Sequence, residues 1–367
     1  MKNNQIKDRS RLNEIVQPLT DWYRQNKRIL PWRDQNNAYY TWVSEIMLQQ
    51  TRVEAVKPYF QRFIGELPDV QALAECPEEK LMKLWEGLGY YNRVRNMQIA
   101  ARTVIEEYGG KLPDDYLELQ QLKGIGSYTA GAIASIAYGK VAPAVDGNVL
   151  RVISRVTLSR EDILKQSVKR GMEQAIVEIM PADRPGAFNQ ALMELGAMVC
   201  VPNGEPHCES CPLKGLCLAR KMGAMDEIPV KKAKKPRRIE EKTVMIIRDG
   251  EHLAIHKRPP KGLLSGLYEL PNTEGHLTQN EAVAWIKEKG FSPIRIKGLE
   301  TAKHIFSHVE WHMTAYLILI EDPQETGEYL FVEPEKTEEK YPIPAAFAAY
   351  ARYMEIKLGQ EKYREEL

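Results

Sequence analysis

Hydrophobic positions along the chain follow two different rhythms. From Arg11 to about Lys221 they recur at helical spacing, and no alternation of useful strand length interrupts them. Residues 42 to 63 carry Trp42, Ile46, Val53, Val56, Phe60 and Phe63 close to a 3.6-residue period, which predicts one helix that Pro58 kinks or divides. Further helices are predicted near 78–85, 92–107, 115–121, 128–138, 147–158, 166–179 and 186–198, separated by Gly109-Gly110, Leu112-Pro113, Gly139 and Pro181. Beyond Met222 the character changes. Residues 223 to 241 are basic and proline-containing and read as a linker. Lys242–Arg248 and His252–Lys257 then flank Asp249-Gly250, a hairpin signal. Helical spacing at Asn280–Lys289, strand alternation at Ile294–Leu299, Ala302–Val309 and Met313–Ile320, and a terminal helix over Ala345–Leu358 complete a compact α+β domain. No internal repeat is present.

Composition narrows the possibilities. A chain of 367 residues predicts two or three domains, and 43% hydrophobic residues suffice for real cores. The formal charge of +1 conceals local contrast: KKAKKPRR at 231 to 238 is strongly basic, while 321 to 340 is mostly acidic. The basic run reads as a solvated linker or as a stretch that follows a DNA backbone electrostatically. No run approaches the ~18 apolar residues of a membrane span, so no membrane partner is expected. The polar start MKNNQIKDRS lacks the apolar core of a signal peptide, which points to a reducing, cytoplasmic compartment.

That compartment matters for the cysteines. Cys200, Cys208, Cys211 and Cys217 have the spacing C-x7-C-x2-C-x5-C. Thiols this close either pair as disulfides or bind a metal, and four soft sulfur donors in a reducing compartment suit zinc or an iron–sulfur cluster. Cys76 stands alone between Glu75 and Pro77 and reads as a small buried apolar residue.

Upstream, residues 122 to 130 read LKGIGSYTA between two helical stretches. Gly124 and Gly126 allow a tight turn with uncovered backbone N–H groups, able to take phosphate oxygens at a helix N-terminus. An isolated G-x-G is more often a plain helix–helix turn. Here VAPAVDGN follows the second helix and places Asp146 and Asn148 just ahead of another.

This constellation resembles the helix–hairpin–helix DNA glycosylases of the endonuclease III superfamily, over residues 8 to 222. LPWR (30 to 33), WVSEIMLQQT (42 to 51), GLGYYNR (87 to 93), Tyr128 and Asp146 resemble the MutY-type adenine DNA glycosylases in particular. Residues 242 to 358, with RPPKGLLSGLYELP at 258 to 271, resemble the Nudix-like domain of the same family. The fold expected is therefore multidomain: an all-α helix–hairpin–helix glycosylase domain with an iron–sulfur loop, then an α+β Nudix-like domain.

The resemblance implies a monofunctional enzyme that excises adenine opposite 8-oxoguanine or guanine in duplex DNA, acting as a monomer. It implies a 4Fe–4S cluster on Cys200, Cys208, Cys211 and Cys217. The family leaves six residues between its first two ligands, whereas seven separate Cys200 from Cys208, and His207 occupies the six-residue position. Superfamily members that also cut the backbone carry a Schiff-base lysine where this chain has Tyr128. Glu45, set among Trp42, Val43, Ile46 and Met47, is the implied general acid, since an apolar setting raises a carboxyl pKa. On position alone it reads as an ordinary first-turn acid compensating the helix dipole. Asp146 is implied to stabilise or capture the oxocarbenium sugar, Asn148 to orient it, and Tyr128 to support the pocket. Gln50 and Thr51 are implied to wedge into the duplex, Leu88 and Tyr90 to approach from the other side, and Arg28 and Arg33 to lie near the adenine. Core packing for Leu88 and Tyr90, or a simple ion pair for Arg33, are the competing readings.

A working Nudix hydrolase needs an acidic helix of REx2EE type, and the stretch after Glu269 offers none, so no nucleotide hydrolysis is expected. The implied 8-oxoguanine reader is HIFSH (304 to 308), with Ser307 as the hydrogen-bonding residue and Phe306 and His308 beside it. The same residues also read as an ordinary strand. The rivals are a bifunctional endonuclease III-like glycosylase/lyase for oxidised pyrimidines, a nucleotide hydrolase with a DNA-binding module, and a non-catalytic iron–sulfur DNA-binding protein.

Overall fold

A computed structural model describes residues 9–33, 35–232, 236–321 and 327–358. The chain forms two compact units, one of Met1–Glu75 with Arg95–Ala233, the other of Cys76–Val94 with Lys234–Leu367. Both boundaries differ from the sequence expectation. Residues 76–94, expected in the helical domain, join the second unit, because Lys83 donates to Thr337 O (3.0 Å) and Tyr341 O (3.2 Å), while Glu86 accepts from Ile343 N (2.8 Å). Residues 223–232, expected as linker, are strapped to the helical unit. Arg155 donates to Ile228 O (2.8 Å) and Met225 O (3.1 Å), Ile163 N donates to Val230 O, and Ile228 is buried. Residues 233–235 of the basic run lie outside the described residues.

The helices in chain order are α1 (Arg9–Asn26), α2 (Ala38–Leu48), α3 (Val53–Glu66), α4 (Val70–Glu75), α5 (Glu78–Leu84), α6 (Asn92–Tyr108), α7 (Tyr116–Gln121), α8 (Ser127–Ala132), α9 (Gly147–Val156), α10 (Gln166–Ile179), α11 (Pro185–Met198) and α12 (Leu218–Lys221). The single helix expected over 42 to 63 is two helices, and the break falls at Gln49–Arg52, not at Pro58. Gln50 adopts the left-handed conformation (φ 63°) just past the end of α2, a C-terminal stop that ordinarily favours glycine. Pro58 stays inside α3, where burial of Val56, Tyr59, Phe60 and Phe63 offsets its missing backbone donor.

Helix α2 is buried at almost every position from Tyr39 to Met47, so it forms an interior rod that packs on α3, α8 and the turn after α8. That turn, Ile133–Ala137, is π-helical, a local irregularity frequent near functional sites. Helix α11 runs through the same interior against α1, α9 and the π turn. No helix among the described residues is long and apolar enough to cross a membrane.

The second unit is built on a mixed sheet. Its strands are β1 (Arg238–Asp249), β2 (His252–Lys257), β3 (Tyr268–Glu269), β4 (Asn272–Glu274), β5 (Pro293–Gly298), β6 (Ala302–Ile305), β7 (Val309–Ile320) and β8 (Leu330–Val332). The sheet order is β3-β2-β1-β7-β5, with β4 on β1, β6 on β7 and β8 on β2. The Asp249-Gly250 hairpin forms as expected, with Asp249 opposite His252. The centre is a long parallel pair, β1 with β7, from Arg238↔Val309 to Arg248↔Leu319. Helix α13 (Gln279–Glu288) covers Met245, Ile247 and Ile318 on one face. The other face buries Val244, Ile246 and Trp311 against Phe347 and Tyr350.

The strand expected over Ala302–Val309 ends at Ile305. Residues 306–308 are the hairpin turn into β7, closed by Phe306 N to Val309 O (2.8 Å) with Ile305 opposite Glu310. The terminal helix expected over 345–358 is a 3-10 segment, Ala345–Tyr350, followed by α15 (Ala351–Met354), which stops where Glu355 turns left-handed. The short β3, β4 and β8, and α14 (Pro334–Lys340), gave no periodic signal.

Candidate active site

Two helix starts converge on α2. Glu45, about two turns into that buried rod, is only 7% exposed. The hairpin puts Gly126 at the N-cap of α8, so Tyr128 falls in its first turn and donates its hydroxyl to Glu45 Oε2. Asp146 is the N-cap of α9: its Oδ1 accepts from Val149 N at 2.8 Å, and its Oδ2 from Asn148 Nδ2 at 2.7 Å. Glu45, Tyr128, Asp146 and Asn148 line one cleft of about 990 Å³.

The two carboxyl groups sit in opposite surroundings. Burial drives Glu45 up to about 7, helped by the nearby charge of Asp146, while the Tyr128 hydroxyl and the Arg33 guanidinium pull the other way. Burial also raises Asp146, but the backbone N–H of Val149, the Asn148 amide and the charge of Arg151 hold it back. Glu45 can therefore keep a proton near neutrality, while Asp146 has hydrogen-bond donors that favour its charged form.

The cleft also holds Arg28, Arg33, Gln50 and Thr51. Arg28 and Arg33 share one partner that the sequence reading missed, Glu194. Arg28 Nη2 and Arg33 Nη2 each lie 2.8 Å from Glu194 Oε2, and Arg28 Nε is 2.8 Å from Oε1. Burial alone would raise Glu194, yet the two guanidinium groups hold it at about 2. A lone acid inside the apolar run ALMELGAM was the available signal, since a buried charge requires partners. Lys169 and Lys231 line the cleft as well.

Gly124 and Gly126 form the hairpin beside the cleft lining. Gly124 has φ +82°, and a Cβ there would fall 2.8 Å from Asn96 Cβ, so glycine is required twice over. Leu88 and Tyr90 belong to the second unit; Leu88 is buried, whereas Tyr90 is exposed on a left-handed backbone (φ 48°). Arg93 holds that loop by donating to Leu88 O (3.1 Å) and Gly89 O (3.2 Å). In the β6–β7 turn, Ser307 and His308 are exposed, with Ser307 Oγ 3.2 Å from His308 Nδ1. Phe306 is half-buried, edge-on to His304 and Trp311.

Cys200, Cys208, Cys211 and Cys217 line a separate small cavity of about 20 Å³ in the helical unit, with Arg155 Nη1 3.1 Å from Cys200 Sγ. His207 is exposed and outside that lining. Burial, reinforced by the other cysteines, pushes the Cys211 thiol up to about 12, so four thiolates here would require a cationic group between them. Among the described residues no three His, Cys, Asp or Glu donors converge as a single metal ion demands. Four thiols around one cavity are the soft donor set that zinc or an iron–sulfur group takes. Cys76 is buried, as expected of a small apolar residue.

A cleft holding two carboxyl groups of opposite environment, beside a glycine hairpin and ahead of a cysteine cluster, defines a base-excision DNA glycosylase. Residues 43–178 match the HhH-GPD superfamily of base excision DNA repair proteins, and residues 243–353 match the NUDIX domain. In structure, the chain is similar to a thermostable thymine-DNA glycosylase (26% identity, TM-score 0.51), over 58% of this chain and 98% of that one. It is equally similar to endonuclease III trapped in a covalent DNA intermediate (25% identity, TM-score 0.51), over 59% and 98%. In sequence it is 36% identical to the adenine DNA glycosylase of Mus musculus, over 83% of this chain and 70% of the relative. It is 33% identical to that of Buchnera aphidicola subsp. Baizongia pistaciae, over 83% and 86%. The chain belongs to the adenine DNA glycosylase family and is a DNA N-glycosylase.

The Tyr128 hydroxyl lowers the Glu45 pKa, so removing it should raise that pKa. With Glu45 as the expected proton donor, activity should decline as pH climbs through about 7. Tyr128→Phe is expected to move this alkaline limb of the single-turnover excision profile to higher pH, while lowering the rate at the optimum. A limb that stays put or moves to lower pH would remove the hydroxyl's role.

Proposed function

We propose that this protein removes adenine standing opposite 8-oxoguanine or guanine in duplex DNA, as a monofunctional glycosylase acting as a monomer. The observation that carries the reading is the pairing, in one cleft, of a buried carboxyl lifted to about 7 with a hydrogen-bonded N-cap carboxylate. Adenine is a poor leaving group until a ring nitrogen is protonated. The target nucleotide leaves the stack, at a few kcal/mol of unstacking, and enters the cleft. Glu45 delivers its proton to N7. The C1′–N9 bonding pair departs with the neutral base, leaving an oxocarbenium-like sugar. Asp146, ionised and steadied by Asn148, stabilises that cation or captures it as a transient ester. Water then adds to C1′, one proton returns to Glu45, and an abasic site remains.

Arg28, Arg33 and Glu194 supply a polar wall in the same cleft, where a base edge needs hydrogen-bond partners. Gln50 and Thr51 lie where the chain could fill the gap left by the extruded base, and the Gly124–Gly126 turn offers backbone N–H groups to phosphate. The position where a lyase carries its lysine holds Tyr128, which cannot form an imine, and this argues against the glycosylase/lyase reading. Exposed Ser307 and His308, beside a Phe306 held edge-on to Trp311, suit a turn that contacts the opposite base. Cys200, Cys208, Cys211 and Cys217 would hold a 4Fe–4S cluster. When bound, it would supply positive charge to four thiolates and rigidity to the loop carrying Lys214 and Arg220.

Three experiments test these assignments. Glu45→Gln and Asp146→Asn should each lower single-turnover excision by ~10²–10⁴-fold or more, while binding to the mispaired duplex persists. Turnover retained in both would remove the two-carboxylate mechanism. Ser307→Ala combined with Phe306→Ala should erode the preference for 8-oxoguanine over guanine opposite adenine; an unchanged ratio would place the reader elsewhere. Cys208→Ser should lose iron and the visible absorbance of the cluster, whereas His207→Ala keeps both; the reverse outcome would reassign the ligand.

A further inference from the structure

The segment that delivers Asp146 leaves the π turn and passes through Gly139, Pro143 and Val145 before entering α9. Two helices grip it from different sides. On α11, the fully buried Asn189 donates both amide hydrogens, to Ala142 O and to Ser135 Oγ, each at 2.8 Å. Its Oδ1 accepts from Ala144 N at 3.2 Å. One side chain thus ties the π turn to both sides of Pro143. On α8, Gly131 lies directly on the Pro143 peptide: a Cβ at 131 would fall 1.9 Å from Pro143 O. Gly131 follows Tyr128 by three residues, less than one helical turn, and Tyr128 holds Glu45. The backbone contact on one side of the segment is therefore coupled to the acid, and the segment itself ends in Asp146.

We propose that Asn189 is a positioning residue for base excision: with Gly131 it clamps residues 142–144, and so sets Asp146 at the N-cap of α9 in register with Glu45. The inference rests on the roles given above to Glu45 and Asp146. Asn189 lines no part of the cleft and touches no substrate; it acts through Val145, the one residue of chain between Ala144 and Asp146. Loosening the clamp frees the N-cap, weakens the bonds from Val149 N and Asn148, and leaves Asp146 harder to ionise. A residue that merely filled the core would lower stability without moving a titration.

The test is single-turnover excision from an adenine:8-oxoguanine duplex between about pH 5 and pH 9, wide enough to resolve both limbs. Affinity is read in parallel on a duplex carrying a non-cleavable 2′-fluoro adenine nucleotide. Asn189→Leu is expected to lower the rate on the order of 10²-fold, as misplacement of a reacting group does. Its acidic limb should move to higher pH while affinity stays within about 3-fold of the parent, since the cleft surface is unchanged. Gly131→Ala, which forces Pro143 from the other side, should give the same signature. If Asn189→Leu does not fold, Ser135→Ala removes one of the three bonds and should show a smaller limb shift in the same direction. A folded Asn189→Leu or Ser135→Ala whose acidic limb coincides with the parent's overturns the clamp. Asp146→Asn separates the two failures. Inactive Asp146→Asn beside parent-like Asn189→Leu rejects the clamp alone, whereas active Asp146→Asn rejects the catalytic assignment and the clamp with it.

Discussion

One carboxyl group denied water organises the helical unit. Glu45 sits on a helix buried nearly all round, and ionising it there costs free energy that an exposed glutamate would not incur. The folded state answers by letting the proton stay near neutrality and by supplying one hydroxyl, Tyr128, that tolerates either form. Asp146, close enough to raise Glu45 by its charge, needs the opposite treatment and receives it from helix geometry: an N-cap position, a backbone donor and a side-chain amide. Burial raises both groups, and at Asp146 the backbone N–H of Val149, the Asn148 amide and Arg151 oppose it.

Helix α11 is the element on which these parts are registered. Gly186 lies against the π turn, where a Cβ would fall 2.6 Å from Ser135 O, and Gly196 lies against Asn148, where one would fall 2.5 Å from its Cβ. Between them, Asn189 holds the segment leading to Asp146, Met193 lies 3.8 Å from the Tyr128 hydroxyl, and Glu194 gathers Arg28 and Arg33. Arg151 extends the arrangement, donating to Asn148 Oδ1 at 2.8 Å and to Cys200 O at 2.7 Å. The cysteine loop and Asn148, which donates to the N-cap aspartate, therefore share one guanidinium, which fixes the start of α9 against the chain that leaves α11.

The second unit, which matches the NUDIX domain, is built around its central parallel pair. Its sheet is clad on both faces, with α13 on one and the 3-10 segment with α15 on the other, so its core is complete without a ligand. Glu269, the acid at the end of the Gly-rich loop, is buried against Arg258 and His256. What the unit presents instead is the exposed β6–β7 turn over an aromatic stack.

Element types and most of their positions were legible in the sequence, because each rests on local spacing: the helical period over 78 to 198, the Asp-Gly hairpin, the capping Asp146, the close-set cysteines. Local spacing failed where a single backbone conformation intervened. Left-handed Gln50 divided a helix whose apolar period ran on unbroken, and a tight turn at 306 to 308 interrupted a strand whose alternation continued through it. Tertiary structure alone decided the rest. Glu194 reads as one acid in an apolar helix until two arginines from 161 and 166 residues away reach it. Residues 76–94 read as one more helical stretch until buried Glu86 and Lys83 find partners at 337 to 343. Sequence fixes which residues can ionise or cap, since that is a property of each residue and its near neighbours; it cannot fix how hard each is to ionise, because that depends on which distant chain segments exclude water from it.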